Sequence, residues 1–495
     1  LSLFFIGLTL LMGFILPLYG VGYLGAHGPH RPVGGHWFCF NLLLAGLVLV
    51  FLARDAVGFL LAWEIMALAS FGLVLHDHDN RRVRRAGWIY LVACHLGAAA
   101  VLLFFLLLAQ ERGGLTFALF QQFRPAAPAA SGHLLFALAV LGFGSKAGFM
   151  PLHVWLPEAH PAAPSHVSAL MSGIMIKAGL YGLLRALEWI GPWSPAWGWT
   201  MILIGLSSGL LGALSALANN DLKRALAYSS IDHIGILAIG FGLGILGVTH
   251  HLPALAAAGF AGALLHLLNH ALFKGLLFLS AGAVAQAAGT REISRLGGLF
   301  KTMPRTGLCF LIGAVALCAI PPLNGFFSEF LLYLAAFRGY LADPTGPLAP
   351  LLIAVIGGLA LIGGLTVAAF TKAFGLTFLG EPRLPLDPTP RDPGPLQTVP
   401  LFVLCAGCFA IALGAAPVLT GLTPVIEHIA GASRSTIDLN LSLAALQRPL
   451  SLLSGLAAAL MALGFALLLM RRRLLRRQPP ATGVTWDCGY AAPSP

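Results

Sequence analysis

Charge is what this sequence has least of. Of 495 residues, 29 are Lys or Arg and 18 Asp or Glu, so 9% are charged, against roughly 25% in soluble proteins. A soluble chain this poor in charge could not cover its own surface. With 58% hydrophobic residues and a mean hydropathy of +0.87, the chain is a polytopic membrane protein. Cysteine is also scarce, and Cys39, Cys94, Cys309, Cys318, Cys405, Cys408 and Cys488 form no even, closely spaced set, which excludes a disulfide framework or a zinc ribbon. Most lie in apolar runs and read as small buried hydrophobes. Cys405-Ala-Gly-Cys408 has C-x-x-C spacing, but inside a lipid-depth helix it reads as packing. No segment alternates as a strand would, and no polar stretch is long enough to fold alone. The first apolar run lacks a basic leader and a cleavage site and opens on Leu1, so a trimmed start is expected rather than a secretory signal. The net charge of +11 does not point to nucleic acid, because the charges sit in short blocks between apolar runs, as topology signals do.

A spanning helix needs roughly 20 mostly apolar residues, and the sequence predicts thirteen, near 1–25, 37–54, 56–76, 86–109, 133–156, 165–190, 198–218, 226–248, 256–284, 307–334, 349–379, 399–421 and 450–470. If the tail Arg471, Arg472, Arg473, Arg476 and Arg477 is cytoplasmic, alternation puts eighteen basic residues inside, among them Arg31, Arg81, Arg82, Arg84, Arg85, Lys223 and Arg291. Six remain outside: Arg54, Arg112, Arg124, Arg338, Arg434 and Arg448. That asymmetry obeys the positive-inside rule and places the C-terminus in the cytoplasm, under the inner (plasma) membrane. The expected organisation is an N-terminal helix and loop (1–36), a first five-helix repeat (37–190), an inverted second repeat (198–379), a further core helix (397–421), a C-terminal helix (450–470) and a basic tail (471–495). The repeats rest on two interrupted helices five apart, one carrying Pro151 near Lys146, the other Pro321, Pro322 and Gly325 before Glu329. Paired interruptions at matching positions in oppositely oriented units point to a transport site near the midplane.

Ions inside apolar runs are the chemical signal. Glu64, Lys146, Lys177, Lys274 and Glu329 lie in predicted spans, with His266 and His270, and Lys372 at the edge of this set. Each mid-helix lysine costs about 2.5–3.5 kcal/mol on insertion scales, so structure alone does not call for them. Lys372 has a plain alternative, snorkelling from a span end. A desolvated lysine releases its proton readily and a nearby carboxylate restores its hold, so a Lys–Glu pair can act as a proton switch. His266, His270 and Lys274, at i, i+4 and i+8, fall roughly along one helix face, and imidazole relays protons near neutrality. Gly242-Leu-Gly244-Ile-Leu-Gly247 follows no strand and reads as helix packing, not a nucleotide loop. His266 and His270 lack the glutamate of H-E-x-x-H, so no metal is expected there. His27, His30, His36, His76, Asp77 and His78 cluster in loops and read as solvated groups, with metal binding as the sharper alternative.

Several of these stretches resemble one family. Gly142-Phe-Gly-Ser-Lys146-Ala-Gly-Phe-Met-Pro151-Leu-His-Val-Trp-Leu-Pro-Glu-Ala-His160 is similar to the broken helix of antiporter-like subunits of respiratory complex I, Mrp cation/proton antiporters and group 4 membrane-bound hydrogenases. Asp221-Leu-Lys-Arg-Ala-Leu-Ala-Tyr-Ser-Ser230, His266-x3-His270-x3-Lys274 and Pro321-Pro-Leu-Asn-Gly-Phe-Phe-Ser-Glu329 match further motifs of the family. The run from Ala162 to Lys177 and the terminal Thr485-Trp-Asp-Cys-Gly-Tyr490 look most like the hydrogenase-4 and formate hydrogenlyase branch.

The resemblance implies a lateral proton pathway. Glu64 takes the place of the glutamate that pairs with the broken-helix lysine, Lys146. Lys177 takes the bridging position, His266, His270 and Lys274 continue the line, and Glu329 ends it. It also implies no cofactor in this chain, membrane partners, and soluble Fe–S and nickel–iron subunits doing the redox chemistry. Two helices of full-length relatives would precede Leu1. The rival readings are an Mrp-type cation/proton antiporter subunit, a membrane anchor with an inactive pathway, and a b-type haem protein using His266 and His270.

Overall fold

The structure is a computed structural model, and it describes residues 1–25, 33–122, 130–383, 388–431 and 439–476. His27, His30, Arg31, Arg124, Arg434 and the tail from Arg477 onward, with its Trp486-Asp-Cys488 stretch, lie outside them. The described residues form an all-helical membrane bundle. Its helices are α1 (Ser2–Gly25), α2 (Gly34–Leu52), α3 (Ala56–Val74), α4 (Arg81–Arg112), α5 (Phe117–Gln122), α6 (Ala130–Ala147), α7 (Leu156–Ala162), α8 (Ser165–Leu170) and α9 (Ile176–Ile190). Then follow α10 (Pro195–Ala218), α11 (Leu222–Thr249), α12 (Pro253–Ala288), α13 (Pro304–Leu317), α14 (Asn324–Ala342), α15 (Ala349–Phe378), α16 (Pro395–Leu413), α17 (Ala415–Gly431) and α18 (Asn440–Leu475).

Boundaries follow local chemistry. The close pair α2 and α3 is divided at Arg54-Asp55, where the Asp55 carboxylate accepts the Gly58 N–H at 2.8 Å and caps α3. Asp221 does the same for α11 through the Arg224 N–H at 3.0 Å. Such caps satisfy donors that the first helical turn leaves open.

Eleven described helices are long and apolar enough to cross a membrane. The thirteen expected exceed them by two segments, 133–156 and 307–334, which are broken rather than continuous. The first stops at Ala147 and resumes at Leu156, with Pro151 in the gap; the second stops at Leu317 and resumes at Asn324, with Pro321 and Pro322 in the gap. Proline removes a backbone donor and clashes with the preceding turn. Gly325 permits the second break, since a Cβ there would meet the Ala316 carbonyl oxygen at 1.9 Å. The run expected as one helix over 399–421 also divides at Gly414, between α16 and α17.

At the centre stand α11 and the continuous rod Ser165–Ile190, whose apolar windows are wholly buried, as helices apolar all round must be. Glycines bring α10 and α11 together: a Cβ on Gly205 would meet the Gly235 carbonyl at 2.6 Å, and one on Gly242 the Gly198 carbonyl at 2.9 Å. The Gly242–Gly247 run is therefore a packing surface. The long helix α18 is packed only through its first half; beyond Ala457 its described side chains are exposed, apart from half-buried Met461.

Candidate functional site

The rod from Ser165 to Ile190 contains one π-helical turn, Met171–Met175, between α8 and α9. Such turns leave backbone carbonyls free and recur at functional sites. Here Lys177, fully buried, donates to the carbonyls of Ser172 and Gly173 and to His270 Nδ1 at 2.9 Å. The backbone irregularity thus supplies the oxygens that an ammonium inside a bilayer needs.

From His270 the line of groups continues to Glu329. Ser328 Oγ donates to the Gly325 carbonyl at 2.8 Å and so receives the His266 Nδ1–H at 3.0 Å. His266 Nε2 is then an acceptor, and the His233 Nδ1–H donates to it at 2.9 Å. His270, accepting from Lys177 at Nδ1, carries its proton on Nε2. Two ring nitrogens remain unpartnered, the His270 Nε2 donor and the His233 Nε2 acceptor, on rings 5.4 Å apart. No hydrogen bond bridges the step between these two rings. Glu329 closes the line: its carboxylate, His233 and His266 offer ligand atoms all within 4.8 Å of one another. That trio has the composition of a metal site, and hydrogen bonds between His233 and His266 and from His266 to Ser328 already use three of its four ring nitrogens, leaving His233 Nε2.

His233, which the sequence reading missed, is the link between His270 and His266. Lys274 leaves the face it was expected to share and donates instead to Ser229 Oγ and the Leu226 carbonyl of α11. A displacement of eight residues rotates by about 80° on a 3.6-residue helix, enough to turn the lysine toward α11.

The first half is arranged differently. Lys146, buried in the last turn of α6, donates to the Tyr90 hydroxyl at 3.0 Å and to Cys94 Sγ at 3.5 Å, and lies 5.2 Å from the Tyr90 ring centre. Tyr90 also bonds Ser70 and Met175 Sδ, the latter at 3.7 Å. Glu64 does not pair directly with Lys146. It lies 3.5 Å from His95 Nε2, and these side chains are 35% and 50% exposed. Pro151, Pro321 and Pro322 lie in the two breaks and Gly325 in the first turn of α14, as described. Lys372 is away from the line, at the end of α10, donating to the Leu217 carbonyl and Asn220 Oδ1. His36 and His76 do meet, with ring centres 4.8 Å apart, and His36 Nε2 lies 2.8 Å from His166 Nε2 on α8.

With this geometry in place, the comparisons decide the family. The family model described as "NADH:quinone oxidoreductase/Mrp antiporter, TM" matches residues 53–342. The chain belongs to that family. Hydrogenase-4 component B of Escherichia coli is 38% identical to this antiporter-like chain over a 511-residue alignment, covering 99% of it and 73% of the relative. Formate hydrogenlyase subunit 3 of the same organism is 33% identical, covering 97% of this chain and 75% of its own length. Among solved structures, the Mrp complex from Dietzia sp. DQ12-45-1b has the same fold, with a TM-score of 0.73 at 22% identity, covering 90% of this chain and 85% of that one. An archaeal membrane-bound sulfane sulfur reductase follows at TM-score 0.68 and 29% identity, over 83% of this chain and 64% of that chain. Relatives of the antiporter-like chain are thus subunits of multi-subunit membrane complexes.

Proposed function

We propose that this chain is the proton-translocating subunit of a membrane-bound hydrogenase or complex I-like assembly, moving protons along the Lys146, Lys177, His270, His233, His266 and Glu329 line when redox chemistry in partner subunits shifts its charges. The observation that carries this reading is the enclosed chain from Lys177 to Glu329. Ionisable groups inside a bilayer are costly and mark ion pathways, and here hydrogen bonds join Lys177 to His270 and His233 to His266, with the Glu329 carboxylate within 4.8 Å of the two histidines of the second pair. The chain itself supplies no redox group; Fe–S and nickel–iron partners are where electrons would travel. Two inverted repeats over 37–190 and 198–379, as read from the sequence, would each hold one of the broken helices and place a site at their interface.

Glu64 and His95 support a membrane partner. A carboxylate at mid-span is rarely left facing lipid, yet this one is 35% exposed, so a polar face of another subunit belongs there. The basic loops support a cytoplasmic C-terminus in an inner membrane, and no nucleic acid enters.

The test is purification of the native complex in mild detergent, with mass spectrometry of its companions and transport assays on Lys146→Ala. Redox subunits and a loss of proton transport with assembly intact are expected. Normal transport in Lys146→Ala would overturn the pathway. The second reading, an Mrp-type cation/proton antiporter subunit, is favoured by the likeness to the Mrp complex; small membrane partners alone and sodium-driven pH changes in vesicles would put it first.

A further inference from the structure

Asp232 stands next to His233 on α11 and has no place in the line described above. It is fully buried and is the one buried aspartate among the described residues. Its Oδ2 accepts the Thr366 hydroxyl of α15 at 2.8 Å. Its Oδ1 has no partner. On the α10 side Gly212 lies flush against the Asp232 backbone, where an added Cβ would come within 2.6 Å of the nitrogen. A carboxylate has about four lone-pair sites, so one hydroxyl leaves it badly under-satisfied as an anion in a low-dielectric place. Lys274 bonds Ser229 Oγ, three residues before Asp232 on α11, and the Glu329 carboxylate lies within 4.8 Å of a ring nitrogen of the adjacent His233.

Charge counting gives the carboxylate a purpose. Leaving aside Lys223, buried in the first turn of α11, the enclosed line without Asp232 has two buried lysines at or beside it, Lys177 and Lys274, and one acid, Glu329. With it there are two of each. Lys274 itself meets only neutral oxygens, Ser229 Oγ and the Leu226 carbonyl, so its counter-charge has to come from a group nearby but not in contact. An unpartnered carboxylate oxygen meets that description.

We infer that Asp232 is a second proton-carrying carboxylate of the pathway, exchanging one proton with Lys274. In one state the pair is ammonium and carboxylate. In the other an N–H bond of Lys274 has broken and an O–H bond at Asp232 has formed, leaving amine and carboxylic acid with no net change in charge. The neutral state suits a dry interior, and the ionic state holds the Lys274 charge for the line through His233 and Glu329. The Thr366 hydroxyl fixes one oxygen and leaves the other free to take the proton. This inference rests on the proposed proton pathway.

The competing role is a plain anchor tying α11 to α15, and substitution separates the two. Asp232→Asn keeps a carbonyl oxygen for Thr366 and removes only titration and charge; Asp232→Ser is smaller and needs no counter-charge. Each is made in the intact complex, reconstituted into vesicles, beside Asp232→Glu, Thr366→Val and Lys274→Ala. Proton transport per turnover is expected to fall at least about tenfold in Asp232→Asn and Asp232→Ser, the scale of losing a positioned proton carrier, with assembly intact. Asp232→Glu should restore most of it, and Thr366→Val, which removes the hydroxyl that holds one oxygen but keeps the titrating carboxylate, should lose less than Asp232→Asn. Wild-type transport in Asp232→Asn with loss in Lys274→Ala overturns the inference and leaves the pathway standing. If neither Asn nor Ser permits assembly, the carboxylate is an anchor and the inference also falls. Normal transport in Lys274→Ala and Lys146→Ala together would instead remove the proposed function.

Discussion

The two broken helices solve one problem in opposite ways. In the first, the ion precedes the break: Lys146 sits in the last turn of α6, where a helix presents partial negative charge and favours a cation. In the second, the ion follows the break: Glu329 lies in the second turn of α14, toward the end that favours an anion. The surroundings differ as well. Lys146 rests on Tyr90 and Cys94 while its expected partner Glu64 lies at a half-exposed edge with His95. Glu329 is buried, within 4.8 Å of the ring nitrogens that His233 and His266 offer. On the proposed pathway, the first half would exchange with something outside this chain and the second would conduct within it.

If that contrast is right, the largest effect belongs to the enclosed half. Lys177→Met removes the one ammonium that bonds His270 and two carbonyls, and should lower proton transport about a hundredfold or more in vesicle assays with assembly retained. Transport near wild type would mean the enclosed line does not conduct. His233→Phe keeps ring volume but cuts the link between His270 and His266, and a loss of about tenfold to a hundredfold is expected from the same assay. A small effect would place the proton route through Lys274 instead. Glu64→Gln sharpens the contrast from the other side. At a half-exposed site the amide can still hydrogen-bond, so folding stability should change by less than about 1 kcal/mol, while transport in the assembled complex falls about tenfold through lost exchange with the partner. Equal transport in wild type and Glu64→Gln would show that the edge is passive.

Much of this was readable from the sequence because the signals are local. A charge inside an apolar run is conspicuous, and Pro151, Pro321 and Pro322 announce breaks wherever they stand. The bundle, the paired interruptions and most of the line followed from that. What stayed hidden depends on how helices are rotated against one another. Nothing in the chain order says that Glu64 turns to His95 or that Lys274 turns to Ser229. Asp232 and His233 were a different kind of omission. They form an ionisable pair in the middle of an apolar stretch, the same signal that marks Glu64, one residue beyond the Asp221–Ser230 motif. The division of 399–421 was also marked, by Gly414 with Pro417 three residues later.

The smallest expected effect concerns the correspondence between the halves. Lys177 and Lys372 occupy the fifth helix of each predicted repeat, so a strictly symmetric pathway would use both. Lys372 instead donates to the Leu217 carbonyl at 3.2 Å and to Asn220 Oδ1 at 2.7 Å, where α10 ends at Ala218. The last carbonyls of a helix have no intrahelical donor, and a cation beside them contributes about 0.3–1 kcal/mol. Lys372→Gln can keep one of those bonds, so thermal stability should drop by less than about 1 kcal/mol and proton transport should remain at the wild-type rate. A collapse of transport with stability unchanged would put Lys372 in the pathway and make the halves functional equivalents. An unchanged rate leaves the asymmetry as it stands: one repeat places its lysine on the line, and the other uses the equivalent lysine to close a helix end.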